Sequence, residues 1–138
     1  MYVLDTSVAS ALLKPAEGEV VSWLRRQLLP QLYLTSTVVY EIARGIERMP
    51  AGSKRRALVA MFEADFLPLF ADRILPLDTR AARIWASLAA AGEKAGRVPP
   101  IFDCQIAAVA IRHDMTVVTL DRRGFEPLGC RILDPSVS

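Results

Sequence analysis

The chain of 138 residues has a single histidine, His113, and two cysteines, Cys104 and Cys130. A tetrahedral zinc site draws its ligands from a cluster of Cys and His side chains. Three such residues, scattered without a CxxC spacing, cannot form one. The same scarcity excludes two kinds of catalysis. Acid–base cleavage of RNA without a metal calls for a pair of histidines. A Ser-His-Asp set needs a histidine near an activated serine, and no GxSxG is present to supply one. The cysteines read instead as small core residues of a reducing compartment, and His113 as the C-terminal residue of a helix. Lysine is scarce as well: 14 of the 17 basic residues are arginine, and the net charge is only +2. Such a balance excludes a broadly basic nucleic-acid coat, while arginine's planar fork suits bidentate contact with phosphate. No apolar run approaches the ~20 residues of a membrane span. The chain opens on a strand-like YVLD, without a basic stretch followed by an apolar signal segment. These absences point to a cytoplasmic protein with no membrane partner.

Hydrophobic residues make up 52% and charged residues 23% of the sequence, the balance of a compact fold and not of a disordered one. The length fits one domain, residues 1–138. Apolar runs of strand type over 2–5, 32–34, 74–77, 116–120 and 131–133 alternate with helical patterns. A short helix over 8–13 ends at Lys14-Pro15, and an amphipathic one over 17–29 stops at Pro30. Thr35 and Ser36 are cap candidates for a helix over 37–49. Ser53 caps a further helix that ends before Pro68, and Asp78 caps an alanine-rich one running to Gly96. Val98-Pro99-Pro100 leads into a helix over 102–113, and Gly124 and Gly129 punctuate a late loop. This alternation predicts an α/β fold: a single-domain, three-layer α/β/α sandwich around a mainly parallel sheet.

Four carboxylates fall at the tips of these units. Asp5 closes YVLD and Asp121 closes VVTLD; Glu41 in VVYEIARG and Asp103 in PIFDCQIAA lie early in helices. In an open parallel sheet, strand ends and helix starts meet along one edge, where ligands bind. Each acid has an ordinary explanation when taken alone. Asp5 suits an N-cap, Asp103 complements a helix dipole, and Asp121 suits a turn. Glu41, among Val38, Val39, Tyr40 and Ile42, is harder to explain this way, because a buried carboxylate needs a partner. Four acids gathered on one edge repel by about 4 kcal/mol per pair at ~4 Å with an effective dielectric near 20. A hard divalent cation is the simplest way to hold them together.

Four segments carry a resemblance. LDTSV, YEIARGI, FDCQIAAVA and VVTLDRRGFEPLG occur in that order along essentially the whole chain. Together they resemble the PIN (PilT N-terminus) domain, and within it the VapC-type toxin ribonucleases of VapBC toxin–antitoxin pairs and their FitB-like relatives. The resemblance implies a PIN-like fold and an endoribonuclease dependent on Mg²⁺ or Mn²⁺. It also implies RNA as substrate, a cognate VapB-like antitoxin as partner, and a homodimer that joins a higher assembly with the antitoxin. By motif position, Asp5, Glu41 and Asp103 match the family's three core acids, expected to be catalytic and to bind the metal. Asp121 matches a fourth acidic position that many toxin members fill with Asn. Those members often carry an Asp three residues later, where this chain has Gly124. Thr6 and Ser7 match the small hydroxyl residues beside the first acid, and Thr119 the threonine before the last.

Arg44, Arg122 and Arg123 are candidates for substrate phosphates, with Glu47 an alternative ion-pair partner for Arg44 or Arg48. Trp23 and Trp85 read as packing residues on helices. Leu12, Leu13, Val21 and Leu24 fit either a partner groove or the core. A phospho-acceptor receiver module would need a lysine ending the last full strand, where Thr119-Leu120-Asp121 has none. A haloacid-dehalogenase-like phosphatase would need a second Asp two residues after the first, where Ser7 stands. The remaining alternative is a FitB-like nucleic-acid-binding partner of the same fold with little turnover.

Overall fold

β-branched and leucine residues dominate five short runs, and these pair as one parallel sheet. The computed structural model describes residues 1–14 and 17–137. Its strands are Tyr2–Leu4 (β1), Leu32–Thr35 (β2), Ile74–Leu75 (β3), Thr116–Val118 (β4) and Ile132–Leu133 (β5), in the order β3-β2-β1-β4-β5. Every neighbouring pair is parallel, with Val3 opposite both Tyr33 and Val117. Val3, Leu4, Val117 and Val118 are fully buried, as strands covered on both faces require. The chain steps from β1 outward to β3, returns across the sheet to β4 and continues to β5. The order therefore reverses between β1 and β4, and such a switch point opens a crevice at the carboxyl ends of the strands.

The helices are Thr6–Ala9 (α1), Glu19–Arg26 (α2), Ser36–Glu47 (α3), Ser53–Met61 (α4), Leu67–Leu69 (α5), Thr79–Lys94 (α6), Ile101–Arg112 (α7) and Arg122–Phe125 (α8). With this strand order, the right-handed crossovers usual for parallel strands would put the helices before β3 on one face of the sheet and those after it on the other. Thr35 caps α3 by accepting from the Val38 N–H at 3.2 Å, and Asp78 caps α6 by accepting from the Ala81 N–H at 2.9 Å. Asp78 also meets Arg112 at 3.3 Å, pinning the start of α6 to the end of α7. Along α7, Ile106, Ala107, Ala108, Val109 and Ala110 are all fully buried. This helix is enclosed nearly all round, which fixes the position of Asp103 in its first turn.

Several boundaries differ from those predicted by the sequence. The helical path does not end before Pro68: α4 passes through a π-helical segment, Phe62–Phe66, into α5. The wider turn, in which the Leu67 N–H bonds the Phe62 carbonyl, relieves the clash that proline's ring makes in an α-helix. The amphipathic helix α2 ends at Arg26 instead of Leu29, with Leu29–Gln31 forming a 3-10 turn around Pro30. β3 is only two residues long, since Pro76 cannot donate to a ladder. Gly124 belongs to α8, not to a loop. The expected helix over 8–13 is the end of α1 plus a 3-10 turn at Ser10–Leu13, and the stop assigned to Pro15 lies outside the described residues.

Leu13, Val21, Leu24 and Trp23 are buried, and Leu12 and Trp85 pack against the same core. Trp23 meets Tyr2 edge-to-face at 5.2 Å. Cys104 is buried and Cys130 half-buried, both as free thiols. Among the described residues, no helix is long and apolar enough to cross a membrane.

Candidate functional site

β1 and β4 run side by side, so the residues that follow them emerge together. Asp5, directly after β1, is buried and held by three donors. The Thr6 N–H reaches Oδ1 at 2.8 Å, while the hydroxyls of Ser7 and Thr119 reach Oδ2 at 3.1 and 2.7 Å. Thr119, fully buried just past β4, also accepts from the Asp121 N–H at 2.9 Å. Ser7 Oγ in turn accepts from the Leu120 N–H at 3.2 Å. The two strand tips are thus sewn together by hydroxyl groups, and Asp121 is set beside Asp5.

Glu41 comes from the second turn of α3, and its Oε1 accepts from the Thr6 hydroxyl at 2.8 Å. Asp103 comes from the first turn of α7. α3 and α7 are tied at this level by Thr37 Oγ1 donating to Gln105 Oε1 at 2.9 Å, a link the sequence reading missed. Asp121 caps α8, accepting from the Gly124 N–H at 3.2 Å. A methyl group placed on Gly124 would collide with Asp103 Oδ2 and lie 2.8 Å from Asp121 Oδ2. Those two carboxylates therefore face the same small space, which exists because residue 124 has no side chain.

Crowding leaves an electrostatic mark. Asp103 is pushed up to about 6, first by burial and then by the negative charges of Asp5, Asp121 and Glu41. Burial also raises the Asp5 carboxyl, opposed by the hydrogen bonds from Thr119, Thr6 and Ser7 and assisted by Asp121. Burial raises Glu41, opposed by the Thr6 hydroxyl, with Asp5 raising it further and Arg44 lowering it. The four predicted acids thus converge, graded from buried Asp5 to exposed Asp121. Among the described residues, no three Asp, Glu, His or Cys side chains stand in metal-holding geometry. The oxygens of Asp5, Glu41 and Asp121 that bond to protein are directed at nearby hydroxyls and N–H groups. The donor set itself fits a hard cation: carboxylate oxygens carrying excess negative charge, with no sulfur or imidazole among them.

The predicted arginines separate. Arg44 is half-buried and close enough to Glu41 to favour its charged form. Glu47 is not its partner, being paired with Arg55 at 3.1 Å. Arg122 is exposed and ion-paired with Glu126 at 3.2 Å, while Arg123 lies beside Asp121 on the wall of a cavity.

The sequence matches the family model of the PIN domain over residues 2–128. The chain belongs to the PIN domain family. This PIN domain is 38% identical to a VapC ribonuclease of Sinorhizobium fredii, over 98% of this chain and 97% of that protein. It is 36% identical to the toxin FitB of Neisseria gonorrhoeae, over 98% of each. The crystal structure of FitAcB from Neisseria gonorrhoeae superposes with a TM-score of 0.91 at 35% identity, over 98% of both chains. A structure of FitAB bound to a DNA fragment gives the same TM-score at 36% identity, over 99% of this chain and 96% of that one.

Proposed function

We propose that this PIN domain is a divalent-metal-dependent endoribonuclease, the toxin of a toxin–antitoxin pair, acting in the cytoplasm. What supports the reading most is the convergence of Asp5, Glu41, Asp103 and Asp121 from four separate elements onto the crevice between β1 and β4. These four side chains would hold Mg²⁺ or Mn²⁺, which when bound activates water and neutralises charge developing on a phosphodiester. The protein's own residues prepare the rest. Thr119, Ser7 and the Thr6 N–H fix the orientation of Asp5, and the Thr6 hydroxyl fixes Glu41. Asp103, raised by burial and by its three acidic neighbours in the metal-free protein, is the ligand whose repulsion a bound cation would relieve. Arg44, close to Glu41, and Arg123, beside Asp121, would contact the substrate's phosphates. The toxins and complexes it resembles support an antitoxin partner and an oligomeric assembly, within which we infer a homodimer.

The test is to incubate antitoxin-free protein with total RNA, with and without Mg²⁺ or Mn²⁺, beside Asp5→Ala, and to sequence the new ends. Metal-dependent cuts missing from the variant support the nuclease. Stable protein with no cuts under either metal turns the reading towards a nucleic-acid-binding partner of the same fold. That second reading is favoured by the likeness to FitAB bound to DNA.

A further inference from the structure

A cavity of about 400 Å³ opens beside the acids, between the C-terminal end of α6 and α8. Its wall includes Asp121 and Gly124, the same residues that border the acid cluster, so cavity and cluster are continuous. Leu88, Pro99, Pro100 and Leu128 give it an apolar floor. Arg97 and Arg123 stand at it as cations, both exposed, and neither has an ion pair among the described residues. The wall is braced: the Arg97 N–H bonds the Gly92 carbonyl at 2.8 Å, and a methyl on Gly92 would lie 2.6 Å from the Pro99 ring. A braced pocket of this size, apolar with a few placed polar groups, has the build of a preformed small-ligand site.

We infer that this cavity takes one nucleotide of the substrate strand, next to the phosphate cut at the acid cluster. The base lies on the apolar floor, and Arg97 and Arg123 contact the strand's phosphates. This deepens the nuclease reading and rests on it. Single-stranded RNA is recognised through splayed bases seated on flat apolar or aromatic surfaces, with arginine on the backbone. Proline rings and leucine methyls supply such a surface here. The two free cations next to four acids also suit a ligand that brings both a phosphate and a need for metal. An acidic or apolar peptide would use only part of this arrangement.

Two measurements on the full chain test it. The first titrates wild type, Ala91→Trp and Arg97→Ala with each ribonucleoside 5′-monophosphate in Mg²⁺ buffer, following backbone NMR shifts. The second sequences RNA ends produced by wild type, Ala91→Trp and Arg97→Ala. Ala91 is an exposed residue of the cavity wall, so the bulky side chain fills the hollow without entering the core. Circular dichroism melts check that both variants remain folded. The expected results are shifts at Ala91, Val98 and Gly124, weakened at least 5-fold in both variants, and loss of the nucleotide preference beside the cut. Unchanged preference with no shifts at the cavity overturns the inference while leaving the nuclease intact. If wild type cuts nothing, the nuclease reading fails, and the nucleotide titration still decides the cavity. Shifts at the cavity that persist undiminished in both variants overturn it too.

Discussion

The hydroxyl of Thr119 donates to Asp5 Oδ2 at 2.7 Å, joining the tips of β4 and β1 across 114 positions of sequence. The same oxygen accepts from the Asp121 N–H, so one threonine sets two of the four acids. Thr119→Val keeps the shape but leaves Asp5 short of a donor and the Asp121 N–H without an acceptor. Loss of a buried hydrogen-bond partner costs about 1–3 kcal/mol, and loss of a bond that orients a metal ligand costs ~10–100-fold in affinity or activity. Urea unfolding and Mn²⁺ calorimetry should show both losses. A variant with wild-type metal affinity would assign Thr119 to folding alone.

Asp103→Asn should stop cleavage yet raise the melting temperature of the metal-free protein at neutral pH. Removing one acid relieves the repulsion that raises its neighbours. A melting temperature below that of wild type, measured in EDTA, would mean that Asp103 makes a stabilising contact beyond its charge.

The pH dependence follows with a definite sign. Asp103 is raised from an ordinary 3.8 to about 6, so between these values the folded state binds more protons than the unfolded chain. Its contribution to stability is complete below about 4 and is lost as pH rises through about 6. Raised Asp5 and Glu41 act in the same direction. Asp78 and Asp134, which are lowered, contribute stability that is lost only in more acidic solution. The stability difference between wild type and Asp103→Asn in metal-free buffer should therefore move against wild type from pH 4 to 6.5. Metal affinity should climb across the same window, because the ligands must be deprotonated. A flat difference would show that Asp103 is not strained by its neighbours.

Gly124→Ala should separate the site from the fold. The added methyl meets the ends of two flexible carboxylate side chains, which can turn aside, so the melting temperature should move little. The acids it displaces are the proposed ligands, and cleavage should fall at least about 10-fold, the scale for disturbing a metal ligand's support. Equal activity in the two proteins would remove Asp103 or Asp121 from the metal.

Glu41→Gln should weaken Mn²⁺ binding in calorimetry while keeping an acceptor for the Thr6 hydroxyl, whose bond at 2.8 Å holds the side chain. Unchanged affinity would leave Glu41 as a positioning residue for Thr6.

Much of the site could be read in the sequence, because strand ends and helix starts announce themselves. Asp5 and Asp121 end strong apolar runs, and Thr35 and Asp78 cap where hydroxyl and carboxylate caps belong. The helix through Pro68 was hidden, since a π turn is a property of several residues' joint packing and leaves no local signal. Gly124 looked like loop punctuation; its closeness to Asp103 arises only when α7 meets α8. The pairing of Arg122 with Glu126 and of Glu47 with Arg55 likewise depends on which face each helix turns outward.

The sheet's two margins are β3 and β5, each just two residues long. Unpaired N–H and C=O groups on a long border strand invite another chain to add itself as a further strand. Here that border is too brief to template one. A second copy or an inhibitor would then be recruited through helical and loop surfaces, leaving side chains rather than main-chain ladders to set who binds.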